Sequence, residues 1–245
     1  MKAILLSAGR GVRMMPLTEN CPKPLLKVRG RPLIVWHILN LVKAGVTELV
    51  INHAYLGSMI EATLGDGSQF GAQIKYSPEA QALETAGGIA NAMHLLGDQP
   101  FIAVAADIYC PHFDYAECLN TLEDNDMWGN PHPSDKRDIA WLYMVKNPPH
   151  HPNGDFAVNL PGLSNQGGPR YTFSGIGVYR PEMFANIVAG QSAKLVTLFH
   201  HYADRGQLGG EVIQCAWTDV GTPERYAQLN LPMHTPAAAP GVQPL

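Results

Sequence analysis

Short, almost wholly apolar runs alternate with helical stretches through the first hundred residues, and no other feature restricts the fold as much. The runs are Ala3-Ile4-Leu5-Leu6, ELVINHAY (48–55), AQIKYSPE (72–79) and FIAVAAD (101–107). Between them, PLIVWHILNLVKAGV (32–46) sets Leu33, Trp36, His37, Leu39 and Val42 near helical spacing. SMIEATLGDG (58–67) reads as a short helix closed by glycine, and TAGGIANAMHLLGD (85–98) as a glycine-led helix. Strands that are nearly continuous in apolar character are buried on both faces, as in a parallel sheet covered by helices. Such an open sheet takes its ligands at the carboxyl ends of the strands. The loop after the first strand and Asp107 both belong to that edge.

The texture changes from about Asp126 to Arg170, which is rich in Pro, His, Asn and Gly around one clear strand, IAWLYMV (139–145). Strand character returns in TFSGIGVYR (172–180) and in EVIQCAWTD (211–219), which again ends in a carboxylate, while PEMFANIV and LVTLFHHYADRG read as short amphipathic helices. TPERYAQLN (222–230) carries a helix start in Thr-Pro-Glu. The expected fold class is therefore α/β, an open, mostly parallel, Rossmann-like sheet flanked by helices with a smaller substrate-covering lobe. Residues 1–230 are expected to form one domain, 126–175 supplying much of the lobe, and 231–245 hold too few core-forming residues to pack and are expected to be disordered. At 245 residues and 46% hydrophobic, the chain can bury such a core.

GRGVRMMPLTENCPKP (9–24) joins glycine, positive charge and proline directly after the first strand. Gly9 and Gly11 let a backbone approach an oxyanion closely and adopt positive φ where needed. Arg10, Arg13, Lys23 and Lys27 are then candidates to meet phosphate oxygens. The GxGxxG dinucleotide fingerprint fails because position 14 is Met, and no GxxxxGK[ST] loop is present. A nucleotide must be held in some other way.

The remaining bulk properties exclude more than they assign. A net charge of −4, from 17 basic and 21 acidic residues, excludes a general nucleic-acid binder. Cys21, Cys110, Cys118 and Cys215 form no CxxC pair, which argues against a zinc knuckle or a disulfide framework and for free thiols. No signal-peptide pattern opens the chain and no apolar run has the length of a bilayer span, so no membrane partner and a soluble, cytoplasmic protein are expected. A monomer or weak dimer is expected. His132, His150 and His151 lack metal-ligand spacing and read as loop or sugar-pocket residues.

LLSAGRGVRMMPLTENCPKPLLKVRGRPLI resembles the signature of the sugar-1-phosphate nucleotidyltransferases, and the likeness runs from Met1 to about Asn230. The resemblance implies that Lys23 grips the triphosphate and Arg13 holds the departing pyrophosphate, with Ala8, Gly9 and Gly11 around the nucleotide. It implies a metal ion, Mg2+, between Asp107 and Asp219, although many relatives have Gly before the first carboxylate where this chain reads Ala105-Ala106-Asp107. LETAGG (83–88) resembles the base-reading loop, with Gly87 and Gly88 beside the base and Asn52, Glu79 and Leu83 as further nucleotide candidates. Glu84 faces either sugar or base, and Asp155, Ser174 and Gly175 look like sugar-binding residues. LVINHAYLGSMIEATLGDG, NPPHHPNGDFAV and WTDVGTPERYAQL narrow the resemblance to members that take UTP and N-acetylmuramic acid 1-phosphate, in cell-wall recycling. Glucose, mannose or N-acetylglucosamine 1-phosphate with UTP, dTTP or GTP, or a nucleotide-binding regulator without turnover, are the alternatives.

Overall fold

A computed structural model describes residues 1–119, 121–122, 138–159 and 162–232. The expectations placed on His132, on 126–137 and 160–161 within the lobe and on the tail beyond 232 lie outside the described residues. The strands are β1 (Lys2–Leu6), β2 (Lys27–Val28), β3 (Arg31–Pro32), β4 (Glu48–His53), β5 (Gln73–Pro78), β6 (Phe101–Ala105), β7 (Ile108–Tyr109), β8 (Ala140–Val145), β9 (Phe156–Asn159), β10 (Gly162–Ser164), β11 (Arg170–Tyr179), β12 (Leu208–Val212) and β13 (Thr218–Asp219). The helices are α1 (Leu33–Lys43), α2 (Gly57–Leu64), α3 (Glu84–Leu96), α4 (Leu195–Ala203) and α5 (Pro223–Asn230). None is long and apolar enough to cross a membrane among the described residues.

The apolar runs pair as parallel neighbours in the order β6-β1-β4-β5, and β11 joins antiparallel at β6 to continue a nine-stranded sheet. β8 and β9 both lie antiparallel to β11, β12 runs parallel to β8, and β10 closes a hairpin with β9, so β10 and β11 alone oppose the direction of the other seven strands. Side chains alternate between two cores. Ala3, Leu5, Leu49, Ile51, Ile102 and Val104 meet α1 and α2 through Ile34, Ile38, Leu41 and Ile60. Ile4, Val50, Phe101 and Ala103 meet α3 and α4 through Ile89, Ala92 and Phe199. This two-sided burial is why the strands read as unbroken apolar runs.

Chain order reverses at β1, which has β4 on one side and the later β6 on the other. Adjacent loops at such a switch leave in opposite directions and open a crevice at the strand ends.

Three expected elements differ. The 101–107 strand stops at Ala105, and Asp107 sits in the turn between β6 and β7, after Ala106 N–H makes a last bond to Leu6 O at 3.1 Å. The 211–219 strand is broken into β12 and β13. Beyond Ile213, whose N–H reaches Met144 O, the chain leaves β8 and the Trp217 indole donates to Ser174 O at 2.8 Å, which draws 213–219 toward the crevice. PEMFANIV forms only a 3-10 turn over Pro181–Phe184.

Candidate active site

The crevice at the switch point is a cleft of about 940 Å3, within the range of small-molecule sites. Its floor begins where β1 ends. Gly11 takes φ 65, accepts a bond from Thr18 Oγ1 at 2.9 Å and leads into a 3-10 turn over Val12–Met14. A Cβ on Gly11 would stand 3.3 Å from that of Lys23 and 3.2 Å from Thr18 Cγ2, so glycine lets the returning Pro22-Lys23-Pro24 segment lie against the loop. Gly9 is exposed with open space where a side chain would stand, and of these two glycines only Gly11 uses the left-handed region.

Lys23 opens a second 3-10 turn, with its side chain buried and its Nζ donating to Asp107 Oδ2 at 2.5 Å. Arg13 is exposed and shares the cleft wall with Ala8, Gly9 and Gly11. Asp107 is held from below through its neighbour: buried His37 Nε2–H donates to Ile108 O at 2.9 Å, and Tyr115 O–H donates to His37 Nδ1 at 2.9 Å. Burial lowers the His37 pKa to about 4, so the ring is neutral and acts as a strut for β7.

β13 pairs antiparallel with β7, Asp219 opposite Ile108, and Val220 N–H donates to Asp107 O at 3.0 Å. The two carboxylates that the sequence separates thus share one cleft, Asp219 at the end of β13 and Asp107 in the turn that leads into β7. Arg225 Nη1 lies 2.6 Å from each Asp219 oxygen, and His150 Nε2 lies 3.0 Å from Oδ1. No group of three or more His, Cys, Asp or Glu side chains that could hold a metal exists among the described residues. Two carboxylates without a third protein ligand suit Mg2+, which takes its other oxygens from phosphates and water, and do not suit a closed tetrahedral zinc site.

A buried polar relay ties the loop to the opposite wall. Ser7 N–H donates to Asn52 Oδ1 at 3.0 Å, Asn52 Nδ2 to Glu79 Oε1 at 2.7 Å, and Leu83 N–H to Glu79 Oε2 at 2.9 Å. Asn52 reaches the cleft, whereas Glu79, Leu83, Gly87 and Gly88 lie behind its wall. Gly87 N–H donates to Ala193 O at 3.1 Å, and a Cβ on Gly88 would stand 2.6 Å from Asn52 Nδ2 and 2.7 Å from Glu79 Oε1. These two glycines admit neighbours into the first turns of α3. Glu84 heads that helix at φ 59, a left-handed conformation that non-glycine residues avoid, and lines the cleft. The Asn52→Ala variant is expected to lose about 2 to 4 kcal/mol of stability, because Glu79 Oε1 and Ser7 N–H each lose their buried partner; urea unfolding of variant and parent measures it.

Asp155 is oriented by Phe173 N–H on Oδ2 at 2.7 Å and by His151 Nε2 at 3.0 Å from Oδ1. Ser174 and Gly175 form a bulge of β11, with Gly175 at φ 88. A Cβ there would approach that of Ala105 to 2.9 Å, so glycine lets β11 close on the end of β6. Bulges of this kind re-aim a strand beside a site.

Ala8, Gly9, Gly11, Arg13, Lys23, Asn52, Glu84, Asp107, Asp155, Ser174, Gly175 and Asp219 therefore share one cleft. Sequence reading did not single out Arg225 or Trp217. The signal for Arg225 was Gly221 in DVGTPER, since a Cβ there would stand 3.1 Å from Asp219 Oδ2 and collide with the Arg225 guanidinium. His53 bonds Glu61 Oε1 at 2.7 Å, away from the cleft wall.

The profile of the Nucleotidyl transferase family matches residues 2–128. An N-acetylmuramate alpha-1-phosphate uridylyltransferase from Neisseria meningitidis serogroup B is 48% identical, over 91% of this chain and 94% of that protein. Mannose-1-phosphate guanyltransferase beta-A of Xenopus laevis is 27% identical over 92% of this chain, which spans only 62% of that longer protein. Among solved structures, a candidate glucose-1-phosphate thymidylyltransferase from Bacillus anthracis, in complex with a sucrose, superposes with a TM-score of 0.75 at 20% identity, covering 94% of each chain, and shares the fold. The chain belongs to the nucleotidyl transferase family, as a sugar-1-phosphate nucleotidyltransferase.

Proposed function

We propose that the protein transfers the uridylyl group of UTP to N-acetylmuramic acid alpha-1-phosphate, giving UDP-N-acetylmuramic acid and pyrophosphate, with Mg2+ as cofactor in the cytoplasm. One observation carries the chemistry: the loop lysine, Lys23, meets Asp107 in the same cleft that receives Asp219. The choice of sugar and base rests on the Neisseria relative.

The acceptor phosphate is already anionic near neutral pH, so one of its oxygens attacks the alpha-phosphorus without a protein base. The bond from that phosphorus to the bridging oxygen breaks, and pyrophosphate leaves with the electron pair. What the chain must supply is alignment and charge neutralisation. Lys23 is assigned to the alpha-phosphate and the attacking phosphate, exchanging its Asp107 bond for phosphate oxygens. Arg13, exposed on the cleft wall, is assigned to the leaving pyrophosphate. Ala8, Gly9, Gly11 and Asn52 are assigned to the nucleotide, with Glu79, Leu83, Gly87 and Gly88 shaping that wall from behind. Glu84, Asp155, Ser174 and Gly175 are assigned to the sugar. Asp107 and Asp219 would hold Mg2+, which when bound offsets phosphate charge as a Lewis acid.

Measuring kcat/KM for each donor with each acceptor tests the substrate pair. The muramic compound with UTP is expected to exceed N-acetylglucosamine 1-phosphate, which lacks the lactyl carboxylate, by about a hundredfold or more, since a site built for a polar group rejects an analogue without it. A preference for glucose 1-phosphate would refute the pair but leave the reaction class. Absence of pyrophosphate release with every acceptor in the panel would refute turnover and favour a nucleotide-binding regulator.

A further inference from the structure

Cys110 and Cys215 are 105 positions apart, yet their Sγ atoms lie 3.2 Å from one another. Both are free thiols. Cys110 follows β7 directly and Cys215 precedes β13, so the pair flanks the two paired strands beside which Asp107 and Asp219 stand, on the side packed into the core under α1. Cys110 is fully buried, whereas Cys215 is half-buried. We propose that Cys110 and Cys215 form a reversible redox site, in which a small hydroperoxide oxidises Cys215 and Cys110 resolves it to a disulfide that staples β7 to β13.

The contact needs little movement, because a disulfide brings its sulfurs to about 2.05 Å and the strands are already fixed by the Thr218 to Tyr109 pairing. The roles follow from exposure and from the hydrogen bond between the thiols. Cys215 is the more accessible sulfur, and the bond from Cys110 lowers its pKa while raising that of Cys110. In the first step the Cys215 sulfur gives an electron pair to one oxygen of hydrogen peroxide, the O–O bond breaks, and hydroxide leaves and is protonated to water. The product is a sulfenic acid. In the second step the Cys110 sulfur attacks Cys215, the S–O bond breaks, and the leaving oxygen takes the Cys110 proton to depart as a second water. Two thiols lose two electrons in total, and the peroxide gains them. Cys118 is buried among Tyr143 and the core and Cys21 packs near Met14, so neither belongs to the pair.

The test uses the full-length protein treated with stoichiometric hydrogen peroxide. Thiols titrated after unfolding are expected to fall from four to two, the 110 and 215 peptides to be recovered cross-linked, and dithiothreitol to restore all four. The oxidised protein is expected to melt about 5 °C higher, since the cross-link closes a loop of roughly a hundred residues, and to keep turnover within about twofold. Cys215→Ser should abolish both the cross-link and the peroxide-induced rise in Tm, and Cys110→Ala should leave Cys215 as a trappable sulfenic acid. A thiol count that stays at four, a cross-link involving Cys118 or Cys21, or a lower Tm on oxidation would each overturn the assignment.

Discussion

Lys23→Met is expected to lower kcat about a thousandfold while the protein stays folded. The side chain of Lys23 is only 9% exposed, and that of Asp107 is 45% exposed. Methionine keeps the apolar stem in its place between Pro22 and Pro24 and removes only the ammonium. The lost ion pair has a half-exposed partner, so its removal should change stability by about 1 kcal/mol or less. Turnover is a different matter, because an ammonium aimed at developing phosphate charge in a cleft is the kind of preorganised group whose loss reduces rates by about a hundredfold to a thousandfold. Continuous pyrophosphate release beside a thermal melt checks both halves. A variant with near-parental kcat would remove Lys23 from the transfer step, and one that fails to melt cooperatively would make its role structural.

Asp219→Asn and Asp107→Asn are expected to raise the Mg2+ concentration for half-maximal activity by about tenfold or more and to lower kcat by about a hundredfold, since a hard cation prefers anionic oxygen. The two variants differ in what they leave behind. Asparagine at 107 frees the Lys23 ammonium, which retains its phosphate role. Asparagine at 219 leaves the Arg225 guanidinium, now bonded to both carboxylate oxygens, as an unneutralised cation beside the cleft. UTP affinity without metal should therefore fall less in the Asp219 variant than Mg2+ affinity does. Calorimetric titration of Mg2+ into enzyme with UTP reads the binding directly. Unchanged metal affinity in the Asp219 variant would leave Asp107 as the sole carboxylate ligand.

The parts of the site legible in sequence are those whose chemistry is contiguous. Gly11, Arg13 and Lys23 stand within one loop that follows a strand, and the strand itself is legible because double burial removes its polar alternation. Asp107 is visible as the first charge after an apolar run, although the strand within that run ends at Ala105. Asp219 was visible only as the end of a strand that the structure breaks in two. The resemblance of LETAGG puts Gly87 and Gly88 beside the base, and their packing against Ala193 and Asn52 depends on segments far away in sequence.

The sequence by itself determined the alternation of buried strands and helices, the position of the anion-binding loop and the residue types available to it, because periodicity, glycine and charge act over a few residues. Only the tertiary structure decided which side chains neutralise one another: Lys23 with Asp107, Arg225 and His150 with Asp219, and Cys110 beside Cys215. Those pairs span 84, 6 to 69 and 105 positions respectively. Except for the Asp219–Arg225 pair, which the Thr222-capped start of α5 brings together, nothing local favours them. They form because hydrophobic burial on both faces of the large sheet fixes β6 between β1 and β11, while β7, two residues further along, pairs with β13 in a separate two-stranded sheet, and partners are then set by the packing of these elements rather than along the chain.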